Sequence, residues 1–176
     1  KKQPVYSAQQ SLFSNIEFIL EEKENAIIEI VPPYSIVVKE LLNKAHNYTQ
    51  YANAIKFFES PGQNFVFASV SGDIAIWHQG KYPVRFNQQG KYIMDGSKSI
   101  YQWDKFIPQD ENPHIKNPVR NFVSSANQHP TDGNYPYYYY GRFEHYRNRR
   151  INNVLSMLDS VTIVDMMKLQ NDNYNL

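Results

Sequence analysis

Between Gly80 and Pro118 the chain carries Pro83, Gly90, Gly96, Pro108, Pro113 and Pro118. Each proline fixes its own φ and deletes a backbone donor, and each glycine loosens the chain, so helix and central strand are both disfavoured here. An irregular connection of that length is out of proportion for a small compact domain. Loops so long cover a functional site or belong to a larger fold. Regular structure is expected on either side of the stretch.

On the N-terminal side, Leu12 to Leu20 and Ala26 to Val31 are apolar clusters, and Pro32-Pro33 ends whatever precedes it. Ser35 to Ala45 reads as a helix, with Ile36, Val37, Glu40, Leu41 and Lys44 spaced for one apolar and one charged face. Thr49 is the expected N-cap of a second helix running to about Glu59, with Tyr51, Ala54, Ile55 and Phe58 as its apolar stripe. Ser60-Pro61-Gly62 stops it. Asn64 to Val70 then alternates as a strand, Ser71-Gly72-Asp73 turns, and Ile74 to His78 returns as the second arm of a hairpin. On the C-terminal side, Phe122 to Ser125 reads as a short strand and Thr131 to Gly141 as a tyrosine-rich loop. Helices are expected over Phe143 to Leu158 and Thr162 to Asn171, the latter capped by Thr162 with Asp165 at its third position. The sum is an α+β chain.

Composition removes several classes of function. With 41% hydrophobic and 20% charged residues the chain has the makings of a folded domain or a large piece of one. Eighteen Lys+Arg stand against 17 Asp+Glu, so there is no general electrostatic case for nucleic acid. No apolar run approaches the ~20 residues of a membrane span, and Lys1 to Gln10 has no apolar stretch of a signal peptide behind it. The absence of cysteine excludes disulfides, thiolate metal sites and a Cys nucleophile within these residues. His46, His78, His114, His129 and His145 are scattered without close ligand spacing, so no metal site is expected. There is also no phosphate cradle and no nucleophile elbow.

Four blocks fall in an informative order. The first is Pro61-Gly62-Gln63-Asn64-Phe65-Val66-Phe67-Ala68 leading to Gly72-Asp73-Ile74-Ala75, followed by Gly80, Pro83 and Arg85. The second is Trp103 to Pro108. The third is Asn117-Pro118 leading to Asn127 and Pro130. The fourth is Arg149-Arg150-Ile151 with Leu155 and Leu158, then Asp165-Met166, Gln170 and Asp172. Together they resemble the β-chain of the penicillin acylase (penicillin amidase) family of N-terminal nucleophile hydrolases, in its central to C-terminal part. The second block departs from the family's pattern, since Asp104-Lys105 replaces the usual glycine. The resemblance treats 1–176 as a single piece of such a β-chain, matched over 42–176 and poorly matched over 1–41. It implies part of an αββα architecture, antiparallel strands with flanking helices.

The resemblance also implies roles. Asn127 matches the asparagine whose side chain holds the oxyanion. Read from its neighbours alone, it is an Asx-turn residue ordering the loop before Pro130 sooner than an oxyanion donor. Amide hydrolysis builds negative charge on the scissile oxygen, which a fixed neutral N–H donor stabilises without reorganising. Arg150 matches the family's active-site positioning arginine, with Arg147 or Arg149 taking that part if the alignment slips. Tyr137 and Tyr138, between the two sites, are the candidate substrate-binding residues. No cofactor is implied for this segment. The family's calcium-ligating aspartate follows a Tyr-Pro pair, and here tyrosines follow Tyr135-Pro136. Asp95, Asp104 and Asp132 are the possible substitutes, without ligand spacing.

Enzymes of this class attack with an N-terminal Ser, less often Thr or Cys, whose own α-amino group is the base. Residue 1 is Lys, and Ser14-Asn15 lacks the following tryptophan and lies too close to Asn127. The nucleophile is therefore expected outside this chain. The expected partners are an N-acyl substrate of the β-lactam or acyl-homoserine lactone type and the remainder of the parent α- and β-chains. Self-association through uncovered apolar surface is a further expectation, as is the family's periplasmic or secreted location. Against this stands a reading from composition, since 14 Tyr and 10 Phe also suit a carbohydrate or ligand-binding module. A non-catalytic acylase-like protein is the third alternative.

Overall fold

A computed structural model of the protein describes residues 34–174. The apolar clusters before Pro33, and Ser14, lie outside the described residues. Helix α1 (Tyr34–Asn43) and helix α2 (Tyr48–Ile55) are followed by strands β1 (Gln63–Ala68) and β2 (Ile74–Gln79). Two single 3-10 turns, Ser99–Tyr101 and Gln109–Glu111, precede strand β3 (His114–Lys116), and helices α3 (Tyr146–Leu155) and α4 (Ile163–Gln170) close the chain. The three strands form an antiparallel sheet in the order β1-β2-β3.

The hairpin turns where its glycine permits. Gly72 holds φ 92°, a left-handed value that side chains disfavour, and its N–H donates to the Ser69 carbonyl at 3.0 Å. Cross-strand register then follows from the alternation of the two arms. Phe65 pairs with Trp77 and Phe67 with Ala75, while Asn64 pairs with His78 and Val66 with Ile76. The first set turns toward the helices and the second toward the opposite face.

The main core lies on that first face. Tyr51, Ile55, Ala75 and Trp77 are buried together, with Leu42, Tyr48, Phe65 and Phe67 packed around them. Ile55 is completely enclosed, and burying a side chain of that size is worth about 1.5–3 kcal/mol. The Tyr51 hydroxyl donates to the Phe65 carbonyl at 2.8 Å, so the one polar atom of the ring is satisfied. Its pKa is raised, first by burial and then by Tyr48 nearby.

Several boundaries differ from expectation. The cap of α2 is Asn47, whose side chain accepts from the Gln50 N–H at 2.9 Å, two residues before the expected Thr49. The helix ends at Ile55 instead of Glu59 because the sheet claims the next turn. Phe58 packs edge-on to Phe65 with ring centroids 5.0 Å apart, and the buried Gln79 amide donates to the Phe58 carbonyl at 2.9 Å. Inside the proline-rich stretch β3 forms after all, its N–H groups and carbonyls being taken up by β2. Phe122 to Ser125 is not a strand. Asn121 and Asn127 both take left-handed backbone, with φ 59° and 61°, and bracket it too tightly for a ladder to grow. Helix α4 carries the expected capping box. Thr162 Oγ1 accepts from the Asp165 N–H at 3.3 Å, and the Thr162 N–H donates to the Asp165 carboxylate at 3.0 Å.

Candidate functional site

The loop Ser124–Gln128 is held from three directions. Within it, Gln128 reaches both ways. Its Oε1 accepts from the Ala126 N–H and its Nε2 donates to the Ser124 carbonyl, each at 2.7 Å. From α3, Asn152 Oδ1 accepts from the Ser124 hydroxyl at 3.2 Å. From β1, Asn64 Nδ2 donates to the Ser125 hydroxyl at 2.8 Å. Ser124 and Ala126 are buried, so the loop is seated and its tip faces outward.

Asn127 is that tip. Its side chain is exposed, and its Oδ1 accepts a hydrogen bond from Arg147 Nη2. A guanidinium only donates, so the contact sets which end of the carboxamide is oxygen. The Nδ2 amide then points away from Arg147, and among the described residues it has no partner. The result is a neutral N–H donor on the exposed side of the loop.

The three arginines part company. Arg147, on the first turn of α3, meets Asn127. Arg150 does not. Its Nε and Nη2 both bond the Asp172 carboxylate, at 3.0 and 2.7 Å, and its guanidinium lies over the Tyr174 ring at 4.6 Å. That pairing holds the Asp172 carboxyl below its ordinary range. Arg149 is exposed and its side chain makes no hydrogen bond among the described residues. Beside Arg147 and Ser125 opens a groove of about 550 Å³ between α3 and α4, walled by Ile151, Leu155, Ile163, Met166 and Met167.

The tyrosine-rich loop does not line that groove. The Tyr137 hydroxyl donates to Glu111, a bond that raises its pKa above the usual value. Tyr135 donates to the Glu111 carbonyl at 3.1 Å, and burial pushes its pKa up to about 12. Tyr138 borders a small cavity of about 140 Å³ with Tyr82, Arg85 and Ile107. Tyr139 turns inward instead, to His78 at 2.7 Å. Three of these rings are thus committed to the protein's own groups and do not form an open stacking platform.

His78 fits no ligand spacing in the sequence, and its partners come from the fold. Its Nδ1 bonds Asn64 Oδ1 at 2.7 Å, and its Nε2 meets the Tyr139 and Tyr82 hydroxyls at 2.7 and 2.8 Å. Burial lowers its pKa to about 4. Burial also raises the pKa values of Tyr82 and Tyr139. A second cavity of about 430 Å³ lies against this face, bordered by Asn64, His78, His114, Arg120, His129 and Asp132. The signal was present in the hairpin: Asn64 and His78 are cross-strand partners on the face away from the core.

Among the described residues there is no group of three His, Cys, Asp or Glu side chains able to hold a metal ion. Asp95 instead accepts from the Ser97 N–H and hydroxyl at 3.1 and 2.6 Å, which lowers its pKa. Asp132 accepts from the Asn134 N–H at 2.9 Å.

The chain is an α+β layer in which an exposed asparagine carboxamide is bonded by an arginine from α3. Residues 40–176 match the family model described as penicillin amidase, and the chain belongs to that family. The fold is similar to that of a thermostable penicillin G acylase from Alcaligenes faecalis, with a TM-score of 0.62 at 17% identity. The match covers 80% of this chain and 26% of the acylase chain, so the chain spans about a quarter of that protein's length.

Proposed function

We propose that this chain supplies the oxyanion-holding part of an amidohydrolase that cleaves N-acyl compounds of the β-lactam or acyl-homoserine lactone type. One observation carries the reading. Arg147 occupies the Asn127 oxygen and so leaves the Nδ2 N–H groups to the open side. In the reaction a serine hydroxyl oxygen bonds the scissile carbonyl carbon, and the carbonyl π electrons move onto oxygen. In this reading the Nδ2–H donor receives that charge. The leaving amine takes a proton as the C–N bond breaks, and water then releases the acyl group. The serine, with its own α-amine as base, comes from a segment beyond these 176 residues in this reading. Arg147, and not Arg150, is the positioning arginine. Arg150 anchors the chain after α4 through Asp172.

A backbone detail selects the test. Asn127 sits at φ 61°, where alanine is strained and glycine is not. Asn127→Gly therefore removes the carboxamide and leaves the loop at rest. In the complete protein it should lower kcat for phenylacetyl or long-acyl amides by about 10²–10³, the cost of one oxyanion donor. Unchanged turnover sinks the reading. Turnover by the 176-residue chain alone, at the rate of a complete enzyme, sinks the claim that the serine lies elsewhere. Ile163, Val164 and Met167 on α4 are exposed, and the remainder of the α- and β-chains would cover them. Sedimentation of the isolated chain should show self-association that fades on dilution, and a strict monomer at high concentration would count against that cover.

A further inference from the structure

We propose that His78 is a positioning residue for the Asn127 loop, acting through Asn64 and Ser125. The inference rests on the oxyanion reading of Asn127 and names what keeps that side chain aimed. Four links join the sheet to the loop. The Tyr139 and Tyr82 hydroxyls meet His78 Nε2 at 2.7 and 2.8 Å. His78 Nδ1 donates to Asn64 Oδ1 at 2.7 Å. Asn64 Nδ2 donates to Ser125 Oγ at 2.8 Å, and Ser125 stands two residues before Asn127.

The Asn64 carboxamide sets the polarity of this chain of bonds. The Asn64 nitrogen is used on Ser125, so its oxygen faces His78 and can only accept. His78 must then carry its proton on Nδ1 and offer the Nε2 lone pair to the hydroxyls. Tyr139 donates to that lone pair, and Tyr82 divides its hydroxyl between Nε2 and the Gln79 carbonyl, 3.4 Å away. With the Asn64 carboxamide in this orientation, the other tautomer would set the Nδ1 lone pair against the Asn64 oxygen, two acceptors facing each other. The imidazole tautomer and the Asn64 carboxamide therefore turn together, each orientation of one matching one of the other, and the hydroxyl beneath the loop answers to both.

The seat is built into the backbone. Tyr82 stacks on His78 with ring centroids 5.1 Å apart and an interplanar angle of 9°. It lies so close to Gly62 and Gly80 that a Cβ at Gly62 would sit 2.2 Å from its hydroxyl, and one at Gly80 2.9 Å from its ring. On the other side Tyr139 closes edge-on at 5.7 Å, backed by His129 and Phe143. The groups around the imidazole are hydroxyls, amides and rings, with His114, His129 and Asp132 across the adjoining cavity. Burial keeps the ring neutral down to about pH 4, which preserves its one lone pair.

Two substitutions separate positioning from packing. His78→Asn keeps a nitrogen donor near the place of Nδ1, and His78→Phe keeps the ring volume without either nitrogen. In the complete protein His78→Phe should lower kcat about tenfold or more with KM nearly unchanged, because a misplaced donor is felt in the transition state. His78→Asn should restore kcat to within a few-fold of the parent. Equal kcat for the two variants, whether high or low, overturns the proposal. Asn127→Gly should cost less in the His78→Phe background than alone, since neighbours in one network are not additive. If Asn127→Gly alone leaves kcat intact, the oxyanion reading has failed, and crystal structures of the two variants then decide the link by themselves. Displacement of Ser125 Oγ and the Asn127 carboxamide in His78→Phe, but not in His78→Asn, upholds it. Superimposable loops in both variants overturn it.

Discussion

The hairpin with α2 and the α3–α4 pair are built from similar sequence material and end up in opposite circumstances. Around the hairpin, Tyr51, Ile55, Ala75 and Trp77 close a shared core. In the helical pair only Leu155 is buried, and no residue of α4 is. Met166 and Met167 of α4 remain about half exposed, at 46% and 57%. Both regions have apolar stripes at helical spacing. The difference teaches that a stripe announces a contact without saying which molecule, or which part of one, supplies the other side.

Substitutions can break that comparison. The largest effect should come from Ile55→Ala, which removes fully enclosed atoms and should cost about 2–5 kcal/mol in urea unfolding of this chain. A loss under about 1 kcal/mol would show the hairpin core to be as open as the helical pair. Next comes acidification. His78 in the unfolded chain takes its proton near pH 6.5, and in the folded chain only near pH 4. Stability is therefore complete above about pH 6.5 and falls as pH drops toward 4, by no more than about 2 kcal/mol once solvent screening is allowed for. The urea midpoint should fall over this interval in the parent, and His78→Phe should flatten the slope. Asp73, Asp95, Asp165 and Asp172 all have lowered pKa values, so their contributions are lost at lower pH, as each carboxylate protonates.

Smaller effects sharpen the other half. Thr162→Ala removes the hydroxyl side of the α4 capping box and leaves the backbone N–H on Asp165; it should cost about 1 kcal/mol, seen as lost helicity in circular dichroism. A change beyond about 2 kcal/mol would mean that α4 is tied down by more than its own cap. Smallest should be Met167→Ser, under about 0.5 kcal/mol in the isolated chain, since the side chain has little contact to lose. In the complete protein the same change should cost more. Equal costs in both settings would leave the exposed stripe without a cover.

The hairpin was legible in the sequence because its signals are local. Alternation from Asn64, a glycine in the turn, and the return at Ile74 need no distant partner to be read. Thr162 with Asp165 is local in the same way. By contrast β3 was hidden, because three residues after Pro113 acquire strand geometry only when β2 offers its edge. Asn127 could be singled out, and the choice among Arg147, Arg149 and Arg150 could not. One turn of helix separates Arg147 from Arg150, and only packing decides that one faces Asn127 and the other Asp172.

What the residues determined unaided was the set of pieces: two N-terminal helices, a hairpin, a capped C-terminal helix, and an asparagine on a loop. Such features depend on side chains within a few positions of each other, where chain connectivity makes the encounter certain. Only the tertiary structure decided that Asn64 and His78 stand beneath Ser125, that Tyr139 turns inward, and that Arg147 claims the Asn127 oxygen. Those meetings join positions tens of residues apart, and a carboxamide or an imidazole takes its orientation from whichever donors and acceptors the fold brings to it.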